Sequence, residues 1–363
     1  MKRELAKRDA IDLWEGTRIL GCGGGGNPSE GLGLVEHTYG TGRAFQLCSV
    51  NDLPADALIV TVGLVGGGVT DDELEQVLPF PRQENAVLRA IESLEEHLGR
   101  EIEAYMPCEP GAGNSFVPLY AAAVKGAVTV DLDTAGRAKP EITNSTTSIF
   151  GVPLTPLAVA TDYGDVVLLT EAVDERRVEQ ICRYIARASG GMCAVARCPI
   201  PASEAPSVLI SGSLEKSLAA GRAIRDSSDP VGALIRALDA SRVFEGIVQD
   251  YSRREEGGFM WGEIRIAGEN AFAGKAYRIF FKNENLIGWK DGTVDVTAPD
   301  LLAMVDASTG EGIYNWTDGS LRVGRSVTLI RAEADPHWLT PRGLELFGPR
   351  HFGYDFDYRP YPE

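Results

Sequence analysis

Residues 18–31 read RILGCGGGGNPSEG: four consecutive glycines (Gly23, Gly24, Gly25 and Gly26) between an apolar run and the pair Asn27-Pro28. Glycine loses more backbone freedom on ordering than any other residue, so four in a row need a reason. Gly21, Gly23 and Gly26 satisfy GxGxxG, but a dinucleotide fingerprint needs a strand before its glycines. Upstream, Leu5, Ile11, Leu13, Trp14 and Ile19 fall at helical spacings without β alternation, so a helix runs into Gly21. That order weighs against a nucleotide-dependent oxidoreductase. Downstream, Asn27 suits an N-cap and Pro28 the first helical position, so a second helix begins there despite Gly31 and Gly33. The glycine run then presents backbone N–H groups at a helix N-terminus, a place for a carboxylate, a phosphate or developing negative charge. The plainer alternative is a tight helix–helix connection that needs positive φ.

Working outward, the pattern alternates. Residues 57–62 (ALIVTV) read as a strand followed by a loop over 63–70. Residues 84–98 read as a helix, with Val87, Ala90, Ile91, Leu94 and Leu98 on one face and Gly99 closing it. A strand over 101–106, a helix over 114–124 and a strand over 127–132 complete β-α-β-α-β, which implies a parallel sheet with right-handed crossovers. The loops over 63–70, 107–115 and 133–144 then lie at the carboxyl edge of the sheet, where ligands bind. They bring Glu109, Asn114, Asp131, Asp133, Arg137 and Glu141 to that edge. A strand over 165–170 follows, then helices over 174–188, with Val178, Ile181, Cys182 and Ile185 inward, over 213–224 and over 231–238. From Ser241 the texture changes to short strands with Asp-Gly turns at 291–292 and 318–319, the mark of an antiparallel barrel or sandwich. The fold class expected is α/β with a second, β-barrel-like domain. The border falls at 172/173, and the helices over 174–240 are free to pack on either body.

Bulk composition agrees with a soluble binder of small molecules. At 363 residues the chain is long for one core, and 44 % hydrophobic residues argue against disorder. The net charge of −17 and the absence of any concentrated basic run exclude nucleic acid. The charged start, MKRELAKRDAIDLW, holds no apolar signal core, and no apolar run is long enough to span a membrane, so a cytoplasmic protein is expected. The cysteines (Cys22, Cys48, Cys108, Cys182, Cys193, Cys198) form no CxxC pair and read as reduced thiols. A homo-oligomer is left open.

Several motifs resemble one family, named after S-methyl thiohydantoin desulfurase, over residues 9–362. The family's ILGTGGGGDP stands here as ILGCGGGGNP, and its PAEIGGGNS as PCEPGAGNS over 107–115. Its VVDADGMGRAFPE stands as TVDLDTAGRAKPE over 129–141. The segments NENL (283–286), APDLLAMVD (298–306) and GLELFGPRHFGYD (343–355) are similar to its closing signature. The departures, Cys22 for threonine, Asn27 for aspartate, Pro110 and Ala112 in the glutamate loop, and Thr134-Ala135 for Gly-Met, sit in the loops just described. The resemblance implies an N-terminal three-layer α/β domain with a β-barrel-like C-terminal domain. It also implies removal of methanethiol from an S-methylated thiohydantoin, in the company of hydantoinase and oxoprolinase systems.

Such a reaction needs an activated water or nucleophile, stabilisation of a tetrahedral intermediate and help for a departing thiolate. Glu109, Asp131 and Asp133 are the candidate carboxylates, each with capping or an ion pair as its plainer role; Asp131 ends a strand and Asp133 lies just beyond, so the two are expected on opposite faces and only one of them in the site. Arg137 suits a bidentate grip on a substrate carboxylate, or an ion pair with Glu141. Asn114 is either a helix cap or a donor to a ring carbonyl. Cys22 and Cys108, beside glycine-rich loops, are the candidate nucleophiles of a covalent route. His351 could act as an acid or pack in an aromatic tail. No cofactor is indicated; a divalent metal on Glu109, Asp131 and Asp133 is admissible, although His37, His97, His337 and His351 form no ligand motif. The other functional class left open is a non-catalytic, ligand-binding accessory protein of a hydantoinase or oxoprolinase system.

Overall fold

The computed structural model describes residues 2–361 other than 67, 68, 70, 84, 316 and 317. The expected helix start at Glu84 and part of the expected loop over 63–70 therefore lie outside the described residues. A short strand β1 (Arg3–Glu4) leads into the helices that flank the glycines, α1 (Lys7–Leu20) and α2 (Pro28–Gly40), and then β2 (Gln46–Cys48). Asn27 caps α2 through a bond from the Ser29 N–H, as its sequence position predicts. Next come β3 (Leu58–Gly66), α3 (Asp71–Val77), α4 (Ala86–Leu98), β4 (Ala104–Met106), α5 (Phe116–Lys125), β5 (Val128–Val130) and β6 (Leu132–Asp133). Strands β2, β5, β4 and β3 pair in parallel in that spatial order.

Beyond β3 the sheet reverses. After α6 (Thr146–Phe150), β7 (Leu157–Ala160), β8 (Val166–Leu169) and α7 (Glu175–Ala188), the long β9 (Met192–Pro201) runs antiparallel to β3 and separates it from β7 and β8. The result is an eight-stranded mixed sheet, β1-β2-β5-β4-β3-β9-β7-β8, whose middle is parallel only on one side. Residues 63–66, expected in a loop, instead continue β3, because β9 supplies an antiparallel partner for them. Val60, Val62, Ala194 and Ala196 turn to α4 and α5, while Val65, Cys193 and Val195 turn to α7, so helices cover both faces. A two-stranded ladder joins β6 to β10 (Ile210–Ser211) ahead of α8 (Ser213–Asp226) and α9 (Pro230–Leu238). Helix α8 lies against α1 so closely that a Cβ on Gly16 would sit 1.7 Å from the Ser217 carbonyl oxygen.

The remaining strands are β11 (Ser241–Glu256), β12 (Phe259–Gly268), β13 (Ala276–Lys282), β14 (Glu284–Lys290), β15 (Thr293–Thr297), β16 (Leu301–Asp306) and β17 (Ser326–Ala332). They pair antiparallel in the order β15-β14-β13-β12-β11-β17-β16 and curl into a half-barrel around Phe244, Ile264, Phe281 and Leu329. Asp291 and Gly292, at φ 49° and 81°, make the two-residue hairpin turn between β14 and β15. The second Asp-Gly pair, Asp318-Gly319, belongs to the long connection from β16 to β17 and makes no such turn. Helix α10 (Pro341–Phe347) closes the chain against Trp338. No described helix is long and apolar enough to cross a membrane.

Candidate active site

The tetraglycine bend packs directly on the loop after β4. The Gly25 carbonyl accepts from the Gly113 and Asn114 N–H groups, each at 3.1 Å. A Cβ on Gly25 would stand 2.7 Å from the Gly111 Cα, and one on Gly113 2.6 Å from the Asn27 nitrogen. Only glycine fits such backbone-on-backbone contact, and Gly23, Gly25 and Gly26 also take positive φ. The third loop arrives through the Ala138 N–H, which donates to the Leu20 carbonyl at 3.0 Å.

These loops border a cavity of about 1180 Å³ between the mixed sheet and the β11–β12 hairpin, a size ample for a small molecule. Two buried glutamates face it, Glu109 from the α/β body and Glu284 from the start of β14. Glu109 accepts from the Asn114 amide at 2.8 Å and the Lys139 backbone N–H at 2.9 Å. Glu284 accepts from the Gly25 N–H at 3.1 Å, while its other carboxylate oxygen has no partner. Burial raises both groups above the usual carboxylate range; for Glu284 the neighbouring charge of Glu109 adds to it, and for Glu109 the Lys139 ammonium opposes it. The negative charge of Glu109 opposes ionisation of Glu284, which favours a proton on the pair. The Gly25 N–H thus donates to a carboxyl group that the protein itself provides.

Sequence models of the S-Me-THD-like family match the chain almost end to end, the N-terminal domain over residues 8–171 and the C-terminal domain over 173–361. The chain belongs to this family. The S-Me-THD-like chain also superposes on the X-ray crystal structure of a protein from Chromobacterium violaceum over 99 % of both chains, with a TM-score of 0.78 and 24 % identity. That likeness concerns the fold alone. No curated protein matches the chain.

Within this S-Me-THD-like site, Gly25, Gly26, Asn27, Cys108, Glu109, Asn114 and Glu141 all line the cavity. Asn114 does not cap α5, which starts two residues later; its amide positions Glu109. Glu141 pairs with Lys282 and with His351 Nε2 at 3.0 Å, and these partners outweigh burial to hold its carboxyl down to about 2. His351 is therefore engaged from behind Glu141, outside the lining.

Other expected residues are engaged elsewhere. Neither Asp131 nor Asp133 lines the cavity, where one of the two was expected. Asp131 accepts from the Leu214 and Glu215 N–H groups, capping α8. Asp133 accepts from the Ala135 and Gly136 N–H groups at 2.6 Å each, and burial pushes it up to about 7. Glu109 lines the cavity and the two aspartates do not, and among the described residues no group of three His, Cys, Asp or Glu side chains is placed to hold a metal ion. Gly23 and Gly24 also stand off the lining, against Asn315 and Glu284. Arg137 is buried between the two bodies, donating to the carbonyls of Ala138, Asp300 and Asn285 with its face on Phe347, and it does not line the cavity, so it offers no grip on a ligand there. Its reading as an ion-pair partner of Glu141 falls as well, Lys282 and His351 holding that place. Burial pushes the Cys108 thiol up to about 12 and raises Cys22, which does not reach the cavity, so neither is a thiolate at neutral pH.

Sequence reading missed Glu284, Lys139 and Arg197, all buried and all on the cavity. Glu284 lies in the quoted NENL motif, the one local signal that pointed to it.

Proposed function

We propose that this chain is a hydrolytic desulfurase-type enzyme that acts on a small hydantoin-like or S-methyl-thiohydantoin ring acid and releases a thiol. The observation that carries this reading is the buried Glu109–Glu284 pair, one on the glycine-rich loop after β4 and the other at the start of β14 against the tetraglycine bend, at the wall of a cavity of suitable size. Two N–H donors and the Lys139 ammonium favour the charged form of Glu109, which makes it the base. Glu284, with one oxygen unpartnered and Glu109 beside it, keeps the proton and is the acid. Water adds to the ring carbon that bears sulfur, giving a proton to Glu109. The C–S bond breaks and the departing methanethiolate takes the Glu284 proton. The former C–S–CH3 and C=N become C=O and N–H, so the two protons of water end on nitrogen and on sulfur. Transfer of the remaining proton between the glutamates resets the pair. With no thiolate in the cavity, water is the nucleophile.

The test incubates the purified protein with S-methyl-thiohydantoin, thiohydantoin and hydantoin acids and assays thiol, sulfide and ring opening. Thiol release from the S-methyl compound is expected, with Glu109→Gln and Glu284→Gln each lowering kcat by about 10²–10⁴-fold. Folded protein that turns over nothing in the panel overturns the desulfurase reading; ligand binding without turnover, unchanged in both variants, favours the accessory-protein class.

A further inference from the structure

The reaction just described leaves one buried charge on the cavity without a task. Arg197, on β9, is 4 % exposed and lines the cavity. Its hydrogen-bond partner is the Cys198 Sγ, 3.2 Å from Nη1, and among the described residues no carboxylate forms an ion pair with it. The thiols of Cys108 and Cys198 nearby are raised by burial and stay neutral, so they do not balance it. The other cations of the wall are engaged. Arg183 pairs with Glu179 and three carbonyls, Lys139 holds the Glu141 carbonyl beside Glu109, and the exposed Arg82 faces Asp162. A buried guanidinium without a counter-charge is costly unless an anion arrives.

A second observation comes from the facing strand. Thr61, 1 % exposed, lines the same cavity, and its Oγ1 has no hydrogen-bond partner. Thr61 and Arg197 are direct cross-strand neighbours, so both side chains leave the same face of the sheet. A bulge makes this so. Ile59 faces Ile200 but Thr61 faces Arg197, so Cys198 and Pro199 together oppose Val60, with Cys198 at φ 53°. In an unbroken ladder Cys198 would stand opposite Thr61, and Arg197 would face Val62 and the apolar core under α4. Bulges beside active sites re-aim side chains in this way.

We infer that Arg197 and Thr61 form the carboxylate-binding end of the cavity, gripping the acid group of the substrate while its ring reaches the Glu109–Glu284 pair. The inference rests on the ring-acid reading above and adds which residues recognise the acid; uncharged rings are refused.

Isothermal titration calorimetry with the 5-acetic and 5-propionic acids of hydantoin, and with their primary amides, tests it. The native protein is expected to prefer at least one acid over its amide by about 10- to 100-fold, the worth of charged hydrogen bonds. Arg197→Gln is expected to abolish that preference. Because this change empties a buried site, circular dichroism checks its fold, and Thr61→Val, which keeps shape and loses the hydroxyl, is the second variant, expected to bind the acid several-fold more weakly. Binding of neither acid, equal binding of acid and amide, or a native-like preference in both folded variants overturns the assignment. Acids held through Arg197 without thiol release would sink only the desulfurase reading. Equal kcat/KM for S-methyl-thiohydantoin acids and their amides would sink only the present one.

Discussion

At Asp133, two short N–H···O bonds and complete burial pull in opposite directions, and burial wins. Its carboxyl titrates near 3.8 in the unfolded chain and is pushed up to about 7 in the folded one. The folded state therefore binds the proton more tightly, and stability is lost as pH rises through the window between those values. An asparagine at this position could not ionise, so Asp133→Asn is expected to gain on the native protein by about 2–4 kcal/mol between pH 5 and pH 8. Urea midpoints at the two pH values measure this, and kcat should stay within a few-fold, since the residue does not reach the cavity. A catalytic role would instead abolish turnover without that pH-dependent gain. The sequence placed Asp133 and Glu109 alike at the sheet edge; nothing local told that one would close its own turn and the other face the cavity. Glu284 was harder still. It gains its setting from the Gly25 N–H, 259 residues away, and a glutamate opening a β-strand carries no mark of such a partner.

Among elements, the bend between α1 and α2 was legible because helix stops and caps are written within a few residues. What the glycines touch was not. Gly25 meets the Gly111 Cα, whereas Gly33, mid-way along α2, has open space where a Cβ would point. Alanine at the two positions should then act with opposite sign. Gly25→Ala meets both a positive φ and a backbone clash and is expected to cost more than about 2 kcal/mol. Gly33→Ala is expected to stabilise by about 0.5–1 kcal/mol through helix propensity. Chemical denaturation of the two variants decides it; equal effects would mean that the bend tolerates side chains. The β-α-β-α-β run was likewise legible from local periodicity. The reversal at β3 was not, because the pairing of β9 with β3 is a choice between distant segments, and MCAVARCPIP carries neither alternation nor turn marks of its own.

In the molecule as a whole, the two family segments are interlocked rather than stacked. Strand β9, from beyond residue 173, fills the centre of the sheet that residues 3–169 otherwise build. A piece ending at residue 172 would leave β3 and β7 with open apolar edges. Such a piece is expected to aggregate or to show weak, non-cooperative melting by circular dichroism; a monomeric, cooperatively melting product would refute the interlock. The same topology orders events at the ribosome. Synthesis from the N-terminus releases the flanks of this sheet before its keystone, so β7 and β8 wait, unattached to β3, until residue 201 has emerged. The strand that ends that wait also brings the guanidinium into the cavity, so the nascent protein finishes its scaffold and its anion receptor in one event.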